Sequence, residues 1–164
     1  MKKVFVLTLI AVIIITLIVV ISKNEKETVV NMSDSINDLR ISTIVPEQLN
    51  TLEGISLVHV EYDSDNSKIK FILQNKTKHN IYFGEDVILE KKQKGEWYLV
   101  PYSEEVGFTG ILNYLSPSEE TERSLPINVW IPITDGEYRI IKEVSLQEDF
   151  KSLYYIGADF TISK

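Results

Sequence analysis

The chain has 164 residues, 44% of them hydrophobic and 25% charged, with no cysteine and a formal net charge of −7. That length holds one domain of ordinary size plus a targeting segment, and the composition is that of a packed domain, not a disordered tail. Residues 28–164 carry 13 Lys and Arg against 22 Asp and Glu, a net −9, which repels phosphate backbones and argues against nucleic-acid binding. The absence of thiols excludes disulfides, thiolate metal sites and lipidation at cysteine.

Met1-Lys2-Lys3 precedes an uncharged run from Val4 to Ile21 in which only Thr8 and Thr16 are polar. As a helix this run would span about 27 Å, close to the ~30 Å hydrocarbon core of a bilayer. It is longer than the middle of a cleaved signal, so residues 1–22 are expected to be a retained signal-anchor transmembrane helix. A removable signal peptide ending at Ser22 is the competing reading. Lys2 and Lys3 before the span outweigh Lys23 and Lys26, which are interleaved with Glu25 and Glu27; this leaves the amino terminus in the cytoplasm and the body outside it. Residues 23–53 are polar and keep no period of 2 or 3.6, and they read as a stalk.

From Gly54 to the carboxyl terminus the pattern is that of strands. Ile55 to Tyr62 is β-rich and is followed by the turn Asp63-Ser64-Asp65-Asn66-Ser67, after which Ile69, Phe71 and Leu73 alternate with polar residues. Ile81 to Val100 reads as a second hairpin, with Val87 and Leu89 on one face, a three-residue loop Gln93-Lys94-Gly95, and Trp97 and Leu99 returning on one face. Val106 to Leu115 is irregular, Thr121 to Ile127 is a strand placed by Pro126 at an edge, and Glu137 to Leu146 and Leu153 to Ile162 complete the set. Seven to eight short strands without a helical period predict an all-β, immunoglobulin-like antiparallel sandwich over residues 54–164. Tyr138, two residues after the Gly136 turn, stands where a tyrosine corner would return its hydroxyl to upstream backbone.

The ordered set Gly54-Ile55-Ser56-Leu57, Gln74-Asn75-Lys76-Thr77, Tyr82-Phe83-Gly84-Glu85, Gly95-Glu96-Trp97-Tyr98, Leu115-Ser116-Pro117-Ser118-Glu119 and Gly136-Glu137-Tyr138-Arg139-Ile140 resembles a bacterial immunoglobulin-like domain family. Ser118 departs from the glycine expected after that proline. The resemblance implies a sandwich, and a place among short exported or envelope-attached proteins of Gram-positive bacteria. It implies no activity and carries over no catalytic residue.

Chemistry-bearing patterns are sparse. His59 and His79 have no close partners in sequence, and there is neither a nucleophile elbow nor a phosphate loop. The Asp63–Ser67 run begins like a calcium loop, but Lys68 stands in place of its glycine and Gln74 in place of its closing glutamate. No cofactor or metal and no enzymatic activity is expected. Trp97 alternates with Leu99 and is expected in the core, with Tyr98 and Tyr102 more exposed.

Two functional classes remain open. The first is a non-catalytic binding or accessory module, held in the membrane through residues 4–21 and contacting an envelope protein or a cell-wall component; a secreted regulator or inhibitor differs from it only by signal cleavage. The second is a hydrolase whose site assembles around His59 or His79 from residues distant in sequence. For the binding module the expected partner contact is the irregular segment after the central hairpin, through Tyr102, Phe108 and Tyr114. The competing assignment is that these rings close one end of the core.

Overall fold

A computed structural model describes residues 39–103, 106–131 and 133–163. The expected membrane helix, residues 1–22, and the stalk as far as residue 38 lie outside these. Among the described residues no helix is long and apolar enough to cross a membrane.

The strands are β1 (Arg40–Ile41), β2 (Ile55–Asp63), β3 (Lys68–Asn75), β4 (Ile81–Phe83), β5 (Ile88–Gln93), β6 (Glu96–Val100), β7 (Asn113–Leu115), β8 (Glu120–Pro126), β9 (Gly136–Ser145) and β10 (Leu153–Ile162). Every pairing between them is antiparallel. The smaller sheet is β2-β3-β8. The larger runs β1-β6-β5-β9-β4-β7, with β10 also beside β9. Since β9 pairs with β5 through Tyr138–Ile141 and with β4 at Ser145, β4 and β5 are two halves of one bent strand. Within the expected domain this makes eight strands.

Inward-facing residues from both sheets form one core, among them Ile69, Phe71 and Leu73 of β3 and Tyr138, Ile140 and Val144 of β9. In β2 the alternation is interrupted on purpose. Ile55 and Leu57 point inward, the register shifts between Val58 and Glu61, and Val60 and Tyr62 then take the inward positions. His59 absorbs the extra residue with φ 52 and stays exposed. Two residues facing one is a β-bulge, which moves the side chains after it to the other face. The Tyr138 hydroxyl donates to the Thr134 carbonyl at 2.6 Å, which is the expected tyrosine corner.

Three expectations need correction. The central hairpin closes in two residues, with Gln93 opposite Glu96, and both Lys94 (φ 52) and Gly95 (φ 90) are left-handed. This is the turn whose twist matches that of the flanking strands. Trp97 is half-buried on the outer face and lies beneath the Arg139 guanidinium, 4.3 Å from its ring centroid. It is Val100, paired with inward Leu89, that faces the core. The third correction concerns residues 39–53, expected as stalk, which pack on the larger sheet.

That segment crosses the outer face from one edge to the other. β1 pairs with β6, and the Ser42 amide donates to the Trp97 carbonyl at 2.9 Å. At the far edge the Asn50 amide donates to the Tyr155 carbonyl at 2.8 Å, and the Asn50 side chain both accepts from the Gly157 amide and donates to the Gly157 carbonyl, at 3.0 and 3.1 Å. A β-carbon on Gly157 would lie 3.2 Å from Leu49 Cδ2, so the missing side chain lets the strap lie close. Under it Glu90, Arg139 and Ile141 are buried on a face that strand periodicity assigns to solvent.

Candidate functional site

Loop residues 76–80, 101–103, 106–112 and 146–152 follow or precede strand ends that meet around β4, since Tyr82 pairs with both Tyr114 and Ser145. The fully buried Asn75 organises this end. Its side-chain nitrogen donates to the carbonyls of His79, Leu115 and Ser116 at 2.8, 2.9 and 3.1 Å, and its oxygen accepts from the Thr77 amide at 3.0 Å. One side chain thereby satisfies backbone groups of two separate turns, which buried polar groups require.

The three expected contact residues have different environments. Tyr102 is a clamp. Its hydroxyl accepts from the Val87 amide at 3.0 Å and donates to the Val87 carbonyl, across the bend between β4 and β5. Its ring stacks on buried Trp130 at 5.9 Å and meets Phe108 edge-on at 4.8 Å. Burial pushes the Tyr102 phenol up to about 12. Phe108 is thus joined to Tyr102 yet remains 37% exposed, while Tyr114 stands apart, 65% exposed beside Tyr82 in the β4–β7 pair.

Around Phe108 the fold assembles a groove of about 330 Å³. Ile111, Leu112 and Phe150 line it with Phe108, and Glu85 and Asp86 form an acidic wall. Ile111 and Leu112 are 55% and 46% exposed. Ile111, Leu112 and Phe150 were absent from the sequence-based expectation. The adjacent apolar pair set between Gly110 and Asn113 is the local signal for the first two, whereas the signal for Phe150 is a lone ring in the polar, acidic loop between β9 and β10.

Behind the acidic wall the charges are tied to specific partners. Glu85 Oε1 accepts from Asn113 Nδ2 at 2.6 Å and faces Arg123 Nη2 at 3.4 Å. Lys142 Nζ donates to the Asp86 carbonyl and lies 3.9 Å from Asp86 Oδ1. Burial lowers the Lys142 ammonium to about 8 against the opposing pull of Asp86.

Other sequence candidates resolve into local structure. Asp63 accepts from the Asn66 amide and side chain at 3.1 and 2.9 Å and pairs with Lys70 at 2.5 Å. Lys70 and Asn66 hold that carboxyl down at about 2. His59 and His79 are both exposed, and neither lines the groove.

Two antiparallel sheets, chain crossings between them, a tyrosine corner and clustered end loops define an immunoglobulin-like β-sandwich. The sequence agrees at the level of family. Residues 48–161 match the model of the bacterial Ig-like domain, and the chain belongs to that family. Comparison with curated proteins gives no match.

Proposed function

We propose that the protein is a non-catalytic binding module of the bacterial cell envelope, anchored in the membrane through residues 4–21 with its sandwich outside the cytoplasm, and that it docks a protein partner at the groove around Phe108. The observation that carries this reading is the exposure of Phe108, Ile111 and Leu112 on one loop beside Phe150. Contiguous apolar side chains held in water by a packed frame are costly unless a partner covers them. The acidic wall of Glu85 and Asp86 selects a partner segment that sets apolar side chains next to a lysine or arginine. Tyr102 serves the contact indirectly, by holding Phe108 in place.

The test is photo-crosslinking on intact cells from position 109, which borders the groove, comparing the native chain with one in which Phe108, Ile111 and Leu112 are serine. A discrete protein adduct that disappears in the triple variant, with the melting midpoint unchanged, is expected. The same adduct from the triple variant, or none from the native chain, overturns the contact. Alkaline washing tests the anchor separately, and a soluble form beginning at Lys23 would remove it.

A further inference from the structure

Lys142 occupies an inward position of β9, between Ile140 and Val144, where the neighbouring side chains are core. Its side chain is 3% exposed. Instead of meeting another apolar residue it enters a crevice of about 150 Å³ between the two sheets, where β8 faces the bend between β4 and β5. Arg123, also inward on β8, enters from the opposite side. The two cations address one ring, with Arg123 Cζ 5.3 Å and Lys142 Nζ 5.8 Å from the centroid of Phe83. Phe71 and Leu73 continue the apolar floor.

Both cations are poorly matched by the protein. The ammonium has three protons to donate, and among the described residues one acceptor takes a hydrogen bond, the Asp86 carbonyl. The Asp86 carboxylate at 3.9 Å is beyond hydrogen-bond reach. For Arg123 the one hydrogen-bond partner among the described residues is Glu85 Oε1 at 3.4 Å, an oxygen that Asn113 already holds at 2.6 Å. A buried ammonium short of acceptors is stabilised by an anionic oxygen brought to it.

We propose that this crevice binds a small monocarboxylate with a short apolar tail, its carboxylate between Lys142 and Arg123 and its tail on Phe71, Leu73 and Phe83. The volume admits a few carbon atoms. Glu85, Asp86 and Glu122, which border the crevice or its mouth, repel a dianion more strongly than a monoanion, so phosphate is disfavoured. The planar guanidinium fits a carboxylate, and the aromatic floor favours a tail over formate-sized anions. The crevice and the groove around Phe108 share Gly84 and Glu85, and their other lining residues differ.

The test titrates the full-length chain, in non-ionic detergent at about pH 7 and fixed ionic strength, with acetate, propionate, butyrate, chloride and inorganic phosphate. The melting midpoint and the side-chain nitrogen resonance of Lys142 are followed together. Saturable stabilisation that rises from acetate to propionate, accompanied by a shift of the Lys142 resonance, is expected. Lys142→Met should abolish the carboxylate-dependent stabilisation while remaining folded, and Arg123→Gln should weaken binding about tenfold, the loss of one charged hydrogen bond. A response no greater than that to chloride shows that water alone fills the crevice and overturns the proposal. So does preferential binding of phosphate, or binding that survives Lys142→Met.

Discussion

Glu90 and Arg139 face each other directly across β5 and β9, with Arg139 Nε and Nη2 donating to Glu90 Oε2 at 2.7 and 2.5 Å. Glu90 is fully buried and Arg139 is 5% exposed. The second carboxylate oxygen accepts from the Ser42 hydroxyl, and Trp97 lies under the guanidinium. The pair is therefore roofed by the strap and floored by the sheet. Removing one partner leaves an uncompensated buried charge. Arg139→Met or Glu90→Leu should each destabilise by about 3–5 kcal/mol, and the double variant should recover much of that loss. Chemical denaturation of the three variants checks this, and additive losses in the double variant would contradict it.

Because residues 39–53 cover that pair, truncation should be graded. Removal of residues 1–38 keeps every described strand and serves as the reference. Removal of residues 1–53 exposes Glu90, Arg139 and Ile141 and unpairs the edge groups of β6 and β10, so the midpoint should fall by several degrees or folding should fail. Equal midpoints for the two truncations would show that the strap contributes nothing.

Tyr138→Phe deletes the hydroxyl that donates to Thr134 at 2.6 Å and leaves the ring packed near Phe160, at 6.0 Å between centroids. The cost should be about 1 kcal/mol, the net worth of one hydrogen bond. Equilibrium unfolding with an unchanged denaturant slope is the measurement, and no resolvable change would remove the corner's energetic role.

Lys142 gives a pH signature whose sign follows from burial. Its folded value of about 8 lies below the usual 10.5, so between these values the unfolded chain holds a proton that the folded chain has released. Stability therefore rises with pH across that window, after a penalty that is fully present below about 8. The charged groups facing it are Asp86, Arg123, Glu143 and Glu85. Burial raises the phenols of Tyr102 and Tyr138, which removes stability only above about pH 10, where the unfolded tyrosines ionise. Lys142→Met should raise stability near neutrality by about 1–3 kcal/mol and abolish the rise between pH 8 and 9.5. A parallel pH profile in the variant would place the titration elsewhere.

The strand pattern was legible because each strand buries one face, and burial imposes period 2 on its own residues. Leu153–Ile162 has the expected limits, and Tyr138 was placed by a local rule about the start of its strand. That rule holds because the bond returns only four residues upstream. The family, too, could be read from short motifs in order, and Asn75 shows what one of them does in the fold: its amide ties two turns. Where the outer face was involved, periodicity misled. Trp97 is expected in the core because it alternates with Leu99, and periodicity alone puts Glu90 on the face opposite inward Leu89, since nothing in a strand's own sequence states whether a distant segment lies on its back. The strap that decides this, residues 39–53, is polar and aperiodic. It is held by backbone and Asn50 hydrogen bonds that residue types do not announce.

The contact segment divides in the same way. That Val106–Leu115 is irregular and aromatic can be read along the chain, because glycines and broken alternation are local facts. It takes the packed fold to show that Tyr102 is spent on Val87, that Phe108 shares a groove with Phe150, and that Tyr114 stands apart. Those relations join loops separated by many residues, and their geometry comes from how two sheets stack, not from the chemistry of any one stretch. Lys142 is the sharpest case. Its position among Ile140, Ile141 and Val144 marks it as out of place in a core strand, but the crevice that receives it is formed by β8 and the β4–β5 bend, and it exists only once the sheets have met.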